Sequence, residues 1–295
     1  MLAPVIGYRL SIVIILLSLS TTLIAQQTVQ HGTQVLTPFG YRDRANVHRV
    51  LPDYELSIME DEHIRMQNPT TGDYLDFEKP APVPQARVPF TDNGWVTYAS
   101  WLNQGGAPIS YFDTTWSVPP PPSTYNGQTI FQFNSIEPRN GNAILQPVLQ
   151  YGPSAAGGGE YWGIACWFLR GNKTFVTSLQ PVSQNESLTG IIKLLSHKGK
   201  KFSYSCQFFG FSGSMLRVHG IRQLVWLTET LEVYGVNQCT DFPNTVRSLM
   251  YDINVQNRRG YPPVAWSVTN ADTVCGVQTT VPINGGYTGA VYIYY

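Results

Sequence analysis

From Asp92 to the C terminus the chain is a succession of short runs rich in β-branched and aromatic residues, broken by turn signals. That pattern constrains the fold more than any other feature. The runs 129–133, 143–151, 161–169, 188–195, 201–209 and 290–295 have strand composition. Between them stand Asn126-Gly127, Asn140-Gly141, the glycine triplet 157–159 and Asn284-Gly285-Gly286, all turn formers. Few stretches hold a helical period beyond two turns. Short strands joined by polar turns bury their apolar faces by packing sheet on sheet. The expectation is an all-β domain over 91–295, two antiparallel sheets forming a jelly-roll sandwich.

The chain changes character near residue 90. Between 26 and 90 it is polar and acidic, with nine of the nineteen acidic residues and the cluster Glu60, Asp61, Glu62. That part ends in Lys79-Pro80-Ala81-Pro82-Val83-Pro84, which reads as an extended linker. The segment 26–90 is open to three readings: linker, edge extension of a sheet, or propeptide over a cleft. Residues 1–25 read as a secretory signal: Arg9, an apolar stretch from Leu10 to Ile24, then Ala25 before Gln26. No later stretch approaches the roughly 18 apolar residues of a membrane span. The expectation is an exported protein without a membrane segment once the signal is removed.

Four cysteines, Cys166, Cys206, Cys239 and Cys275, are an even number, which in an exported chain predicts two disulfides with the pairing open. Asn172-Lys173-Thr174 and Asn185-Glu186-Ser187 are glycosylation sequons. The formal net charge is zero and 13% of residues are charged, so nothing draws the chain to nucleic acid. Only two histidines follow Asp92, His197 and His219, and neither lies in a His-Glu-x-x-His pattern. No Gly-x-Ser-x-Gly elbow or phosphate loop occurs, and no metal or cofactor is implied.

Glu229 is the strongest candidate for chemistry. In the run 225–234 it shares one face with Val225, Leu227, Leu231 and Val233. A carboxylate amid apolar neighbours is costly to ionise, and its pKa should rise. Glu232 points to the other face, which argues against pairing those two glutamates. The run 144–151 places Gln146, Val148 and Gln150 on one face. A carboxamide beside a carboxylate can stabilise an oxyanion while the carboxylate takes a proton from water. The competing reading is that these glutamines cap an exposed edge.

The order of motifs resembles that of the glutamic peptidases, the eqolisins. Ser100-Trp101, Phe112 and Trp116-Ser117-Val118-Pro119 are similar to the family's early tryptophan and later valine-proline. Leu149-Gln150-Tyr151-Gly152 resembles the motif of the catalytic glutamine, with Gln146 after Ile144-Leu145 as the alternative match. Trp226-Leu227-Thr228-Glu229-Thr230-Leu231 resembles the strand of the catalytic glutamate, although Thr230 replaces an aspartate. The strand 161–167 keeps aromatics, Trp162 and Trp167, but not the family's acids. The resemblance implies a concanavalin A-like sandwich and a secreted acid endopeptidase acting on polypeptides. It implies Glu229 and Gln150 as the dyad, with Trp162 and Trp167 as cleft walls. The alternative class is a non-catalytic, lectin-like module that stacks tryptophans on sugar rings. Substrate preference and oligomeric state are not legible here.

Overall fold

The computed structural model describes residues 33–82, 94–271 and 274–295. The signal-like segment 1–25 and the end of the Pro-rich stretch, residues 83 and 84, lie outside the described residues. The N-terminal part forms β1 (Gln34–Thr37), β2 (Gly40–Asp43), β3 (Val47–Arg49), β4 (Glu55–Ile58), β5 (Ile64–Gln67) and β6 (Tyr74–Phe77). Next come β7 (Gly94–Leu102), β8 (Ile109–Ser117), β9 (Thr129–Pro138) and β10 (Ala143–Tyr151). They are followed by β11 (Trp162–Arg170), β12 (Lys173–Val176), β13 (Gln180–Pro181), β14 (Ser187–Lys198) and β15 (Lys201–Phe208). The last are β16 (Leu216–Ile221), β17 (Leu224–Tyr234), β18 (Arg247–Asn257), β19 (Ser267–Asn270), β20 (Gln278–Ile283) and β21 (Gly289–Tyr294).

These strands build the expected sandwich. The first sheet runs β19-β7-β17-β9-β10-β11-β12-β3, with β13 beside β11; the second runs β20-β21-β18-β8-β14-β15-β16-β4-β5-β6. Every predicted run falls on a strand, with ends displaced by one or a few residues. The main departure is β9, which continues through Asn134 and Ser135 to Pro138. Those polar residues stay in the strand because β10 and β17 pair with it on both sides and satisfy its backbone.

The apolar residues divide between the two faces of the first sheet. Leu145, Leu149, Ile164, Phe168, Leu227 and Leu231 face the second sheet and meet Phe112, Trp116, Leu188 and Ile192 from it. Phe131, Phe133, Ile144, Val148, Ala165 and Trp167 form a separate cluster on the outer face. Strands β9 and β10 are therefore buried on both faces, so the polar residues they carry, such as Gln132, Asn134, Glu137 and Gln146, are buried as well.

Residues 33–82 do not stand apart from the sandwich. Strand β3 adds in parallel to β12 at the edge of the first sheet, and β4 adds in parallel to β16 in the second. The hairpin β1–β2 sends Leu36 and Phe39 onto the outer-face cluster, and Ala155 N donates to Leu36 O at 2.7 Å. The segment thus extends both sheets and also covers part of the outer face.

One disulfide forms, Cys239–Cys275. The expectation of a second is corrected: Cys166 on β11 and Cys206 on β15 are free, fully buried thiols facing each other across the interlayer core. Burial pushes the Cys206 thiol well up, and its hydrogen bond with Cys166 adds to that. Asn185 is exposed in a turn, whereas Asn172 Oδ1 accepts from Ala81 N at 2.8 Å. Among the described residues no helix is long and apolar enough to cross a membrane.

Candidate functional site

Register decides which side chains of β9, β10 and β17 share a face. Glu229 stands opposite Asn134 on β9, in a row that faces the second sheet. Thr114 Oγ1, from β8 of that sheet, donates to Glu229 Oε1 at 2.5 Å. Its other oxygen is buried and finds no donor among the described residues. Burial holds the Glu229 pKa well above the usual carboxylate range; the Thr114 hydrogen bond lowers it, and the nearby charge of Asp113 raises it further. The expected pKa direction is present, but the group is sealed inside the sandwich, fully buried between the sheets.

Gln146 and Gln150 point the other way. Leu145 pairs with Ile136, and Leu149 with Gln132, so Gln146 lies opposite Ser135 on the outer face. The structure therefore does not bring Glu229 together with either glutamine; the full thickness of the sheet separates them. Gln150 is also occupied. Its Nε2 donates to Gly152 O at 2.7 Å and Gly157 O at 2.9 Å, while Oε1 accepts from Ser154 Oγ at 2.7 Å. It fastens the loop 152–157 to β10. Gln150→Ala should cost about 2 kcal/mol by leaving those carbonyls unpaired, read as a lowered urea midpoint; an unchanged midpoint would refute this structural role.

The two tryptophans also divide. Trp162 is a correction to the expected cleft wall, because it faces the interlayer core and packs on Tyr151 with ring centroids 5.2 Å apart. Trp167 lies on the outer face, directly opposite Gln146.

A different constellation surrounds Gln146. It is fully buried, and neither amide atom has a hydrogen-bond partner among the described residues. Across β9 lie Ser135 and then Thr228 on β17; Ser135 Oγ and Thr228 Oγ1 are 2.7 Å apart, and Thr228 Oγ1 lies 2.8 Å from Thr230 Oγ1. One step along β9 on the same face is Glu137, also fully buried, paired in register with Trp226. Glu137 and Gln146 are diagonal neighbours on adjacent strands, about 7–8 Å apart at the backbone, within reach of two long side chains. Trp95 and Trp226 stack over the hydroxyl row, with centroids 5.9 Å apart and planes 7° apart.

At the other end of this face lies Glu232. Its Oε1 accepts from Phe39 N and from Tyr234 Oη, each at 2.6 Å. Burial raises its pKa to about 7, against the lowering effect of those two donors and the Arg42 charge.

Sequence reasoning missed Glu137, Ser135 and Thr228. The signal was present, since the alternation Phe131, Phe133 continues to Ser135 and Glu137. Ending the run at Phe133 concealed it.

Fold and site together define an all-β sandwich with a buried carboxylate–carboxamide pair on the outer face of one sheet. Among solved structures, a scytalido-glutamic peptidase bound to a transition state analog inhibitor is similar at 13% identity and a TM-score of 0.44. That match covers 70% of this chain and all of the other. SCP-B, an eqolisin peptidase in complex with the tripeptide Ala-Ile-His, is similar at 12% identity and a TM-score of 0.39, over 68% of this chain and 98% of the other. Both likenesses are distant. No family model and no curated protein matches the chain.

Proposed function

We propose that the protein is an exported peptide hydrolase whose outer-face site pairs Glu137 with Gln146. The observation that carries this reading is the buried Gln146 carboxamide, whose donor and acceptor have no partner among the described residues, one row from a buried carboxylate. Leaving both amide atoms unmatched costs stability, and such sites are kept where a ligand supplies the match. Glu137 takes a proton from water as the water oxygen attacks the peptide carbonyl. Gln146 Nε2–H donates to the resulting oxyanion, and its Oε1 orients the water. Glu137 then returns the proton to the leaving amine as the C–N bond breaks. Ser135 and Thr228 line the floor of the site, and Trp167 walls it beside Gln146. The disulfide and the signal-like N terminus support export, and the glutamic-peptidase motif order supports the reaction class.

The test is digestion of a denatured protein by the purified chain between pH 2 and 7, alongside Gln146→Leu. Cleavage reduced about a hundredfold or more in the variant supports the oxyanion role; equal cleavage refutes it. The stacked pair Trp95–Trp226 favours a second reading, glycan binding. Sugar binding lost in Trp226→Ala, with no proteolysis at any pH, would establish that reading instead.

A further inference from the structure

A cavity of about 750 Å³ opens at the end of the sandwich where the β9–β10, β14–β15 and β16–β17 connections meet. Five of the chain's nineteen basic residues line it: Arg139, Arg170, Lys200, Lys201 and Arg222. A single carboxylate, Glu62, stands against them. In a chain with zero net charge this is a marked local excess of positive charge.

Glu62 shows what chemistry the cavity takes. It comes from the β4–β5 turn, within the acidic cluster Glu60, Asp61, Glu62, and its Oε2 accepts from Arg170 Nη2 at 2.6 Å. The Arg170 side chain is only 14% exposed, and its Nη1 is buried without an acceptor among the described residues. One half of a guanidinium fork is thus engaged by a carboxylate while the other half is buried without an acceptor among the described residues. Arg139, Lys200, Lys201 and Arg222 are exposed around it.

The cavity adjoins the proposed site. Pro138 and Arg139 directly follow Glu137, and Ala143 and Val225, which also line the cavity, directly precede Ile144 and Trp226 of the Glu137 row. An extended polypeptide advances about 3.3 Å per residue. A substrate lying along β9 with its scissile bond at Glu137 reaches these cations two to four residues away.

We infer that this cavity is a recognition subsite for acidic side chains of the polypeptide substrate, an inference that rests on the peptidase reading for its substrate but not for its anion chemistry. The protein binds Asp- or Glu-rich segments there and cleaves preferentially a few residues from them. Two measurements separate the inference from the reading beneath it. The first is fluorescence anisotropy at pH 6 with labelled hexaglutamate and hexaglutamine peptides, on the parent and on Arg139→Gln/Arg222→Gln. The parent should bind hexaglutamate at least about tenfold more tightly than hexaglutamine, and the variant should lose that margin. Equal binding of the two peptides overturns the subsite. The second is mass mapping of cuts in a denatured protein. Cuts with no bias toward nearby acids overturn the substrate preference. Tight hexaglutamate binding without any cleavage leaves the anion subsite standing and refutes the peptidase reading.

Discussion

Glu137→Gln should abolish cleavage of a denatured protein substrate, lowering the rate by about a thousandfold or more, while Glu229→Gln leaves it within a few-fold of the parent. Glutamine keeps the volume and hydrogen-bonding shape of the side chain but cannot accept a proton from water. The loss is therefore chemical, and the variant's unfolding transition should stay near that of the parent. Glu229 lies on the opposite face, bonded to Thr114 and sealed between the sheets, so its replacement reaches the site only through packing. Full activity in Glu137→Gln, or its disappearance in Glu229→Gln with the fold intact, would reverse this assignment. Ser135→Ala gives a graded control, because it removes one hydroxyl from the floor without touching the proposed dyad.

The second large effect concerns pH and stability. Glu229 and Glu232 both have folded-state pKa values raised by burial above the ordinary 4.5, Glu232 to about 7 and Glu229 well above its usual value. The folded chain therefore holds protons that the unfolded chain releases. Their contribution to stability is fully present below about pH 4.5 and is lost as pH rises through the folded-state pKa. For Glu232 the window is pH 4.5 to 7, and the loss across it is roughly 3 kcal/mol. For Glu229 the sign is the same: its contribution is lost as pH rises from 4.5 through its raised folded-state value. Urea midpoints measured from pH 4 to 9 should fall through this range in the parent. Glu232→Gln should flatten the part between 4.5 and 7, and Glu229→Gln should make the decline shallower as well. Parallel declines in parent and variants would show that other groups set the slope. Asp76 works in the opposite sense: the Arg65 hydrogen bond lowers its pKa, so its contribution is lost as pH falls through that lowered value.

Much of the fold was legible because strand formation leaves a local record. The strands β10, β11, β15, β17 and β21 coincide with runs recognisable from β-branched and aromatic content, and the glycine-bearing turns fall between strands. The raised pKa of Glu229 was legible for the same reason, since a carboxylate alternating with Leu227 and Leu231 must share their burial. The N-terminal strands were not. The segments 47–49 and 55–58 are only three and four residues long, and they pair with the edges offered by β12 and β16, with β5 also flanking 55–58. The free thiols of Cys166 and Cys206 were equally hidden, because an even cysteine count carries no distances.

By itself the sequence determined the class of fold, the positions of β9, β10, β11, β14, β15, β17 and β21, and the in–out alternation along them. All of these follow from a period of two over neighbouring residues. Only the tertiary structure decided which face of β17 meets the glutamine face of β10. That relation depends on strand order and on registers between segments far apart in the chain, and a shift of one residue exchanges the faces. The observed register puts Glu229 in the core and assembles Glu137, Gln146, Ser135 and Thr228 on the outer face, a grouping that no local pattern encodes.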